Sequence, residues 1–374
     1  MIFTYQYINH EIEKLQEFLD YLFYDVWLVA EGTFNFSKLD KNDELKRICE
    51  KLELEDTEWG NFFNGRIAWI YDEFAKINDD NFKLELIDYY HNNNNIEALC
   101  STKTLKPLSY LELKTKYPDL EKAINSFYSK LYGSESPFNL DVFGQLSKKL
   151  LQSHYKDFVE KNNDGICPFC GVNSIDGNIV STKDAYDHYL PKSIYPFNSL
   201  NFKNLSPMCY KCNSANKGIN DPIEHIKGRK LAFYSYSKNH PEIEFKFELL
   251  SNNVKALTPD DYSLSINAPT NNEELETWKR IFKTDRKYKL DGTIEYYGIY
   301  DELICNKYGA KEWYEDIYDY YENAKLISEI EDADKYYEKV IKATTRNLKS
   351  VKNTLKRKFL EECKAKGLLN VAIV

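Results

Sequence analysis

No stretch of this chain approaches the roughly 18–20 uninterrupted apolar residues that a membrane-crossing helix needs. The first residues, Met1-Ile2-Phe3-Thr4-Tyr5, put no basic segment ahead of an apolar block, so no secretory leader is expected. Internal repeats and long low-complexity linkers are missing too; the one biased tract is short, Asn92 to Asn95. A disulfide framework is also lacking. The eight cysteines divide into two CxxC pairs and four singletons (Cys49, Cys100, Cys305, Cys363), a usage that suits a reducing compartment. These absences predict a cytoplasmic protein with no membrane contact. What is present is ample core material: 374 residues, 43% hydrophobic and 15% aromatic, enough for two or three packed units.

Positive charge is short overall, and a net charge of −9 looks wrong for a protein that touches phosphates, whose affinity comes from Lys and Arg displacing counterions. The distribution alters that view. Residues 1–100 hold 21 acidic and 9 basic side chains, so the remainder is slightly basic. Between Lys339 and Lys366 there are ten Lys or Arg against Glu361 and Glu362 alone, and residues 161–230 carry nine basic and six acidic side chains. The acidic first hundred residues are expected to dock on a basic partner or to keep the chain off DNA.

Apolar residues at three- and four-residue spacing, with little Gly or Pro between them, predict helices over 8–30, 43–53, 60–77 and 118–160, again at 273–282, and from about 312 to 366. In the last stretch Ile341, Leu348, Val351, Leu355 and Phe359 are expected to form one apolar stripe beneath the basic residues. The character changes between Gly165 and Gly228, where Pro, Gly, Asn and Ser punctuate short apolar pieces. Residues 231–236 and 243–250 alternate with period two, as half-buried strands do, and Thr258-Pro259-Asp260-Asp261 reads as a turn. The fold class expected is α+β: an acidic helical region over 1–160, a compact module over 161–230, then a small sheet and basic C-terminal helices over 231–374.

The module carries the chemistry. Cys167-Pro168-Phe169-Cys170 and Cys209-Tyr210-Lys211-Cys212 can surround one tetrahedral zinc, yet 38 residues separate the pairs where a zinc ribbon usually has roughly 15–20. The insert reads as a short strand through Ala185-Tyr186-Asp187-His188, a loop containing Pro191 and Pro196, a return strand near Leu205-Ser206-Pro207-Met208, and a helix starting around Tyr210 to Asn213. If that hairpin crosses the helix, Asp187, His188 and Asn213 converge on one point, as a single-metal phosphodiesterase requires.

Asp187-His188-x-x-Pro191, Asn204-Leu205, Cys212-Asn213 and the trailing Lys217-Gly218 resemble the HNH endonucleases, the ββα-metal nucleases, in a zinc-stapled bacterial form. The resemblance covers about 55 residues, 164 to 218. It implies that His188 is the general base, that Asp187 and Asn213 hold a catalytic divalent ion, and that Asn204 braces the hairpin and orients His188. The residue types suit those roles. An unperturbed imidazole has a pKa of about 6.5, and a carboxylate with an amide oxygen suits Mg²⁺ or Mn²⁺. Thiolates are too soft for magnesium, so zinc at the four cysteines is expected to be structural. The pattern departs from the family in two places: the last position is Asn213 rather than His, and Lys217 lies one residue farther from Asn213 than a CNxxK pattern would have it, with Asn216 as a competing amide.

The resulting expectation is a metal-dependent DNA endonuclease acting on duplex DNA, resembling anti-phage or restriction effectors that work beside an ATPase or sensor protein. Lys192, Lys203, Lys217, Arg346, Lys349 and Lys356 are candidate nucleic-acid contacts. An RNase or nickase of the same chemistry, and a catalytically silent zinc-stapled scaffold, are the alternatives. Two CxxC pairs alone more often mark a structural knuckle, and a basic helix is more often a solvated face; His10, His91, His154, His225 and His240 read as ordinary core or surface histidines.

Overall fold

The computed structural model describes residues 1–132, 136–143, 149–176, 186–284, 287–289, 295–326 and 330–369. They form a mainly helical protein with small two-stranded sheets, as the coarse α+β expectation has it.

The first part is helical because its caps and apolar faces agree. After α1 (Lys14–Tyr21), which runs on into a π-helical turn at Leu22–Trp27, come α2 (Asp43–Glu55) and α3 (Glu58–Ala75). Asn42 accepts from the Leu45 amide and Thr57 from the Gly60 amide, so each helix starts on a side-chain cap. Three helices lie where periodicity alone is less telling: α4 (Asp80–Asn94), α5 (Ile96–Ser101) and α6 (Tyr110–Lys116). The helix expected over 118–160 is not continuous. It is divided into α7 (Pro118–Tyr128) and α8 (Leu151–Lys161), with 3₁₀ turns at Pro137–Asn139 and Asp141–Phe143 between them; residues 133–135 and 144–148 lie outside the described ones.

The middle of the chain contains β1 (Tyr186–His188), β2 (Leu205–Pro207), a π-helix at Lys211–Lys217, and a two-residue pairing of β3 (Glu224–His225) with β4 (Gly228–Arg229). Ala185, expected to open β1, lies outside the described residues. Next come β5 (Glu244–Leu249) and β6 (Tyr262–Asn267), antiparallel, with every second residue buried. Residues 231–236 do not join a sheet. Ala232 to Tyr236 are all buried, so the segment is a packed extended strap, hydrogen-bonded through Ala232 N to Cys100 O and from Tyr5 N to Ser235 O. Then follow α9 (Asn272–Phe282), the pair β7 (Lys287–Lys289) and β8 (Glu295–Tyr297), α10 (Ile299–Cys305), α11 (Ala310–Leu326), α12 (Ile330–Thr344) and α13 (Val351–Ala365). The single stripe expected near the end is interrupted. Val351, Leu355 and Phe359 are buried on α13, but Leu348 sits in the turn before it and is 71% exposed.

Two hydrophobic cores result. One gathers α1 to α4, α6 and α7 and receives Tyr186, Phe197, Leu200, Phe202 and Leu205 from the middle of the chain. The other gathers the four CxxC cysteines, Tyr189, Leu190, Met208, β5, β6 and the C-terminal helices. The β1–β2 hairpin therefore lies on the seam, with side chains committed to both.

Candidate active site and metal centre

The two CxxC turns bring their sulfurs together. All four Sγ atoms of Cys167, Cys170, Cys209 and Cys212 lie within 4.8 Å of one another, and all four residues are buried. A tetrahedral zinc with Zn–S of 2.3 Å needs edges of about 3.8 Å, so the donor set and its size fit zinc. The first knuckle is held by Gly171 N donating to Cys167 O (2.7 Å) and Asn173 N approaching Cys170 Sγ (3.5 Å); Asn173 Nδ2 reaches Cys209 Sγ at the same distance. Burial pushes the Cys167 thiol far up, whereas hydrogen bonds from the three neighbouring thiols pull Cys209 far down. One thiolate thus forms readily, and a cation is what would let the others follow. The knuckle is tied to the C-terminal core by Trp278 Nε1 donating to Phe169 O (2.7 Å) and Tyr300 Oη to Cys170 O (2.9 Å).

Immediately beside this centre stands the hairpin, with Tyr186 opposite Pro207, Asp187 opposite Ser206 and His188 opposite Leu205. Three residue pairs cannot stand alone. Tyr5 Oη donates to Pro207 O (3.0 Å), Tyr236 Oη donates to Leu205 O, Ser206 and Ser235 share a hydroxyl hydrogen bond of 2.6 Å, and the His154 imidazole bonds the Tyr186 hydroxyl. Asn204 is fully buried; its amide donates to Leu190 O (3.0 Å) and accepts from Leu190 N (2.8 Å), fastening the loop just beyond His188 to β2. A second clamp carried no motif. Asn93, also fully buried, donates to Leu108 O and Pro196 O (both 2.9 Å), and Asn201 donates to Asn94 O (2.9 Å). The asparagine tract thus pins the loop of the hairpin to α4. Side-chain amides placed against bare carbonyls are the only signal that could have flagged it.

His188 is half-buried, and its Nε2 lies 2.9 Å from Ser199 O. A carbonyl only accepts, so Nε2 carries the proton and Nδ1 keeps its lone pair. Among the described residues nothing hydrogen-bonds Nδ1. Burial lowers the His188 pKa to about 3, the Ser199 carbonyl opposing and Lys192 and Lys217 adding to the shift, so the imidazole is neutral at physiological pH. The Tyr132 ring packs edge-on against it, centroids 4.9 Å apart.

Asp187 is 8% exposed and its carboxyl is raised above the usual range, by burial first, with Lys217 pulling the other way. Lys217 Nζ stands 2.8 Å from Asp187 Oδ2, close enough for an ion pair though not in line for a hydrogen bond, and donates to His188 O (2.9 Å). Asp187 Oδ1 has no hydrogen-bond partner among the described residues. The π-helix explains the spacing anomaly. Gly218 N bonds Asn213 O, five residues back, so the wider turn absorbs the extra residue and carries Lys217 beneath Asp187. Asn216 is buried and its amide donates to Phe282 O (3.0 Å), facing α9. Asn213 is half-buried with its side-chain amide unengaged among the described residues, one turn before Lys217. Of the two amides, Asn213 is the one left for an ion. The Asp187 carboxylate and the Asn213 amide oxygen are the kind of hard oxygen donors that a divalent ion such as Mg²⁺ takes, and His188 Nδ1 is left free beside them.

The other cations differ from one another. Lys192 Nζ donates to Ser129 O (3.2 Å) and Tyr132 O (3.5 Å) at the end of α7, where a helix welcomes positive charge. Lys349 pairs with Asp164 (2.7 Å) and Lys356 with Asp316 (3.8 Å), while Lys203 and Arg346 are exposed. Lys217 is 1% exposed and so belongs to the interior rather than to a phosphate-gripping surface. No known protein family, curated protein or solved structure matches this chain.

Proposed function

We propose that this chain is a metal-dependent endonuclease of the HNH type that hydrolyses DNA phosphodiesters. The observation that carries the reading is the Asp187–His188 pair on a braced hairpin, with His188 fixed by its Nε2 contact to Ser199 O so that Nδ1 is left as a base. Such a base needs to be neutral before it acts, and burial keeps it so. In the step, Nδ1 takes a proton from water as the water oxygen bonds phosphorus. The P–O3′ bond then breaks, its electron pair goes to the 3′ oxygen, and solvent protonates that oxygen. The imidazolium so formed sits beside a phosphate whose negative charge offsets the local cost of burial. Asp187 Oδ1 and the Asn213 amide would hold Mg²⁺ or Mn²⁺, which when bound neutralises charge on the phosphate and the leaving oxygen. Asn204 keeps the loop beyond His188 in register through both of its Leu190 contacts.

The test is cleavage of supercoiled plasmid, linear duplex and single-stranded RNA by zinc-loaded protein, with and without Mg²⁺ or Mn²⁺. Divalent-dependent cutting of DNA that falls at least about a hundredfold in His188→Ala, with zinc content unchanged, is the expected result. Cleavage that survives His188→Ala, or folded zinc-loaded protein that cuts none of the three, overturns the reading.

A further inference from the structure

Lys217 has no part in the hydrolysis just described, yet it occupies the centre of the site. Its ammonium is buried, stands 2.8 Å from Asp187 Oδ2 and is held from the other side by the His188 and Gly218 carbonyls at 2.9 and 3.4 Å. The π-helix exists at the point that delivers it there. A buried ammonium requires a partner, and Asp187 is that partner. The carboxylate is therefore already neutralised by the protein. The second charged side chain acting on His188 is another cation, Lys192. Asp187 with these two lysines leaves the centre without net negative charge, which is a poor host for a free divalent ion. Magnesium is held elsewhere by one or two carboxylates together with substrate phosphates.

We infer that Lys217 makes ion binding at Asp187 depend on substrate: the divalent ion enters together with a phosphodiester, whose negative charge the protein itself has withheld. This rests on the nuclease reading above. Lys217 is a positioning residue; its ammonium stands against Oδ2, and its charge sets the order of assembly. A protein of this kind carries no loaded ion between encounters with nucleic acid.

Mn²⁺ titration followed by electron paramagnetic resonance tests this on zinc-saturated full-length protein in a His188→Ala background, so that a duplex oligonucleotide stays intact. With Lys217 present, adding the duplex should tighten Mn²⁺ binding at least about tenfold. Lys217→Gln keeps a donor and loses the charge. It should bind Mn²⁺ at least about tenfold tighter without the duplex, while Lys217→Arg should retain weak binding. Zinc content and elution volume report whether each variant is folded, and Lys217→Met serves if the Gln variant is not. Mn²⁺ that binds equally with and without the duplex, is lost in Asp187→Asn and is indifferent to Lys217→Gln would overturn this inference and leave the nuclease reading standing. Failure to bind Mn²⁺ in every condition would overturn both.

Discussion

Replacing Gly171 by alanine should damage the zinc knuckle through two separable terms. Gly171 adopts φ +66°, and a Cβ built there would run into Val351 Cγ2 and lie 3.0 Å from Ile2 Cγ1 and 3.2 Å from Lys349 O. The left-handed conformation costs an alanine about 1–2 kcal/mol. The clash adds about 1–3 kcal/mol, because Val351 is buried on α13 and its amide already donates to Gly171 O at 2.8 Å, so neither partner can retreat freely. Gly171→Ala should therefore lose roughly 2–5 kcal/mol in denaturant unfolding. Adding Val351→Ala deletes the clashing methyl. In the double-mutant cycle that pair should show a favourable coupling of about 1–3 kcal/mol, while the conformational part stays unrecovered. A loss below about 0.5 kcal/mol, or additive single mutants, would refute the claim that the knuckle and α13 are locked at this glycine.

Two further expectations concern protons and metal. Burial lowers the His154 pKa to about 3 in the folded protein, so the unfolded chain, with an ordinary pKa near 6.5, binds a proton that the native state rejects; stability is full above about 6.5 and falls as pH drops towards 3, by about 1.4 kcal/mol per pH unit. Denaturant unfolding from pH 7 to 4.5 should therefore show a shallower acid loss in His154→Phe than in wild type, whereas identical slopes would remove His154 from the account. Chelating the zinc should redden Trp278 fluorescence and abolish cooperative unfolding of the C-terminal core, because structural zinc sites supply roughly 10–16 kcal/mol of folding free energy in peptides; unchanged fluorescence and stability in fully demetallated protein would contradict that.

The parts of this architecture that were legible in the sequence are those where local chemistry dictates structure. Four thiols in two i, i+3 pairs announced their own convergence, alternation marked β5, and apolar faces at helical spacing marked α2, α3 and α9. Illegible features depend on partners distant in the chain. The 231–236 strap alternates like a strand, but its backbone bonds Cys100 of α5 and Tyr5 rather than a neighbouring strand, so burial replaced pairing. Leu348 keeps the helical period of the final stripe, yet a turn between α12 and α13 turns it out to solvent. The clamp made by Asn93 reads as polar low complexity until Leu108 and Pro196 arrive beside it. At the site, the extra residue before Lys217 was visible as a spacing anomaly; that it would be taken up by a π-turn, and would bury an ammonium against Asp187, was not.

The position of the hairpin bears on how such a site can be controlled. Tyr186 and Leu205 pack into the N-terminal core while Tyr189, Leu190 and Met208 pack into the core that contains the cysteine cluster, so Asp187 and His188 occupy the short stretch between two independently anchored ends. A sheet of three pairs has no rigidity of its own to resist displacement. The 2.8 Å approach of Lys217 to Asp187 joins a helix that starts at the cysteine cluster to a strand whose first residue belongs to the opposite core. A sliding of one core against the other would act on that ion pair together with the Tyr5 and Tyr236 bonds to β2, since packed cores move as units. The ion pair is consequently one of the contacts through which a shift of one core against the other would reach Asp187.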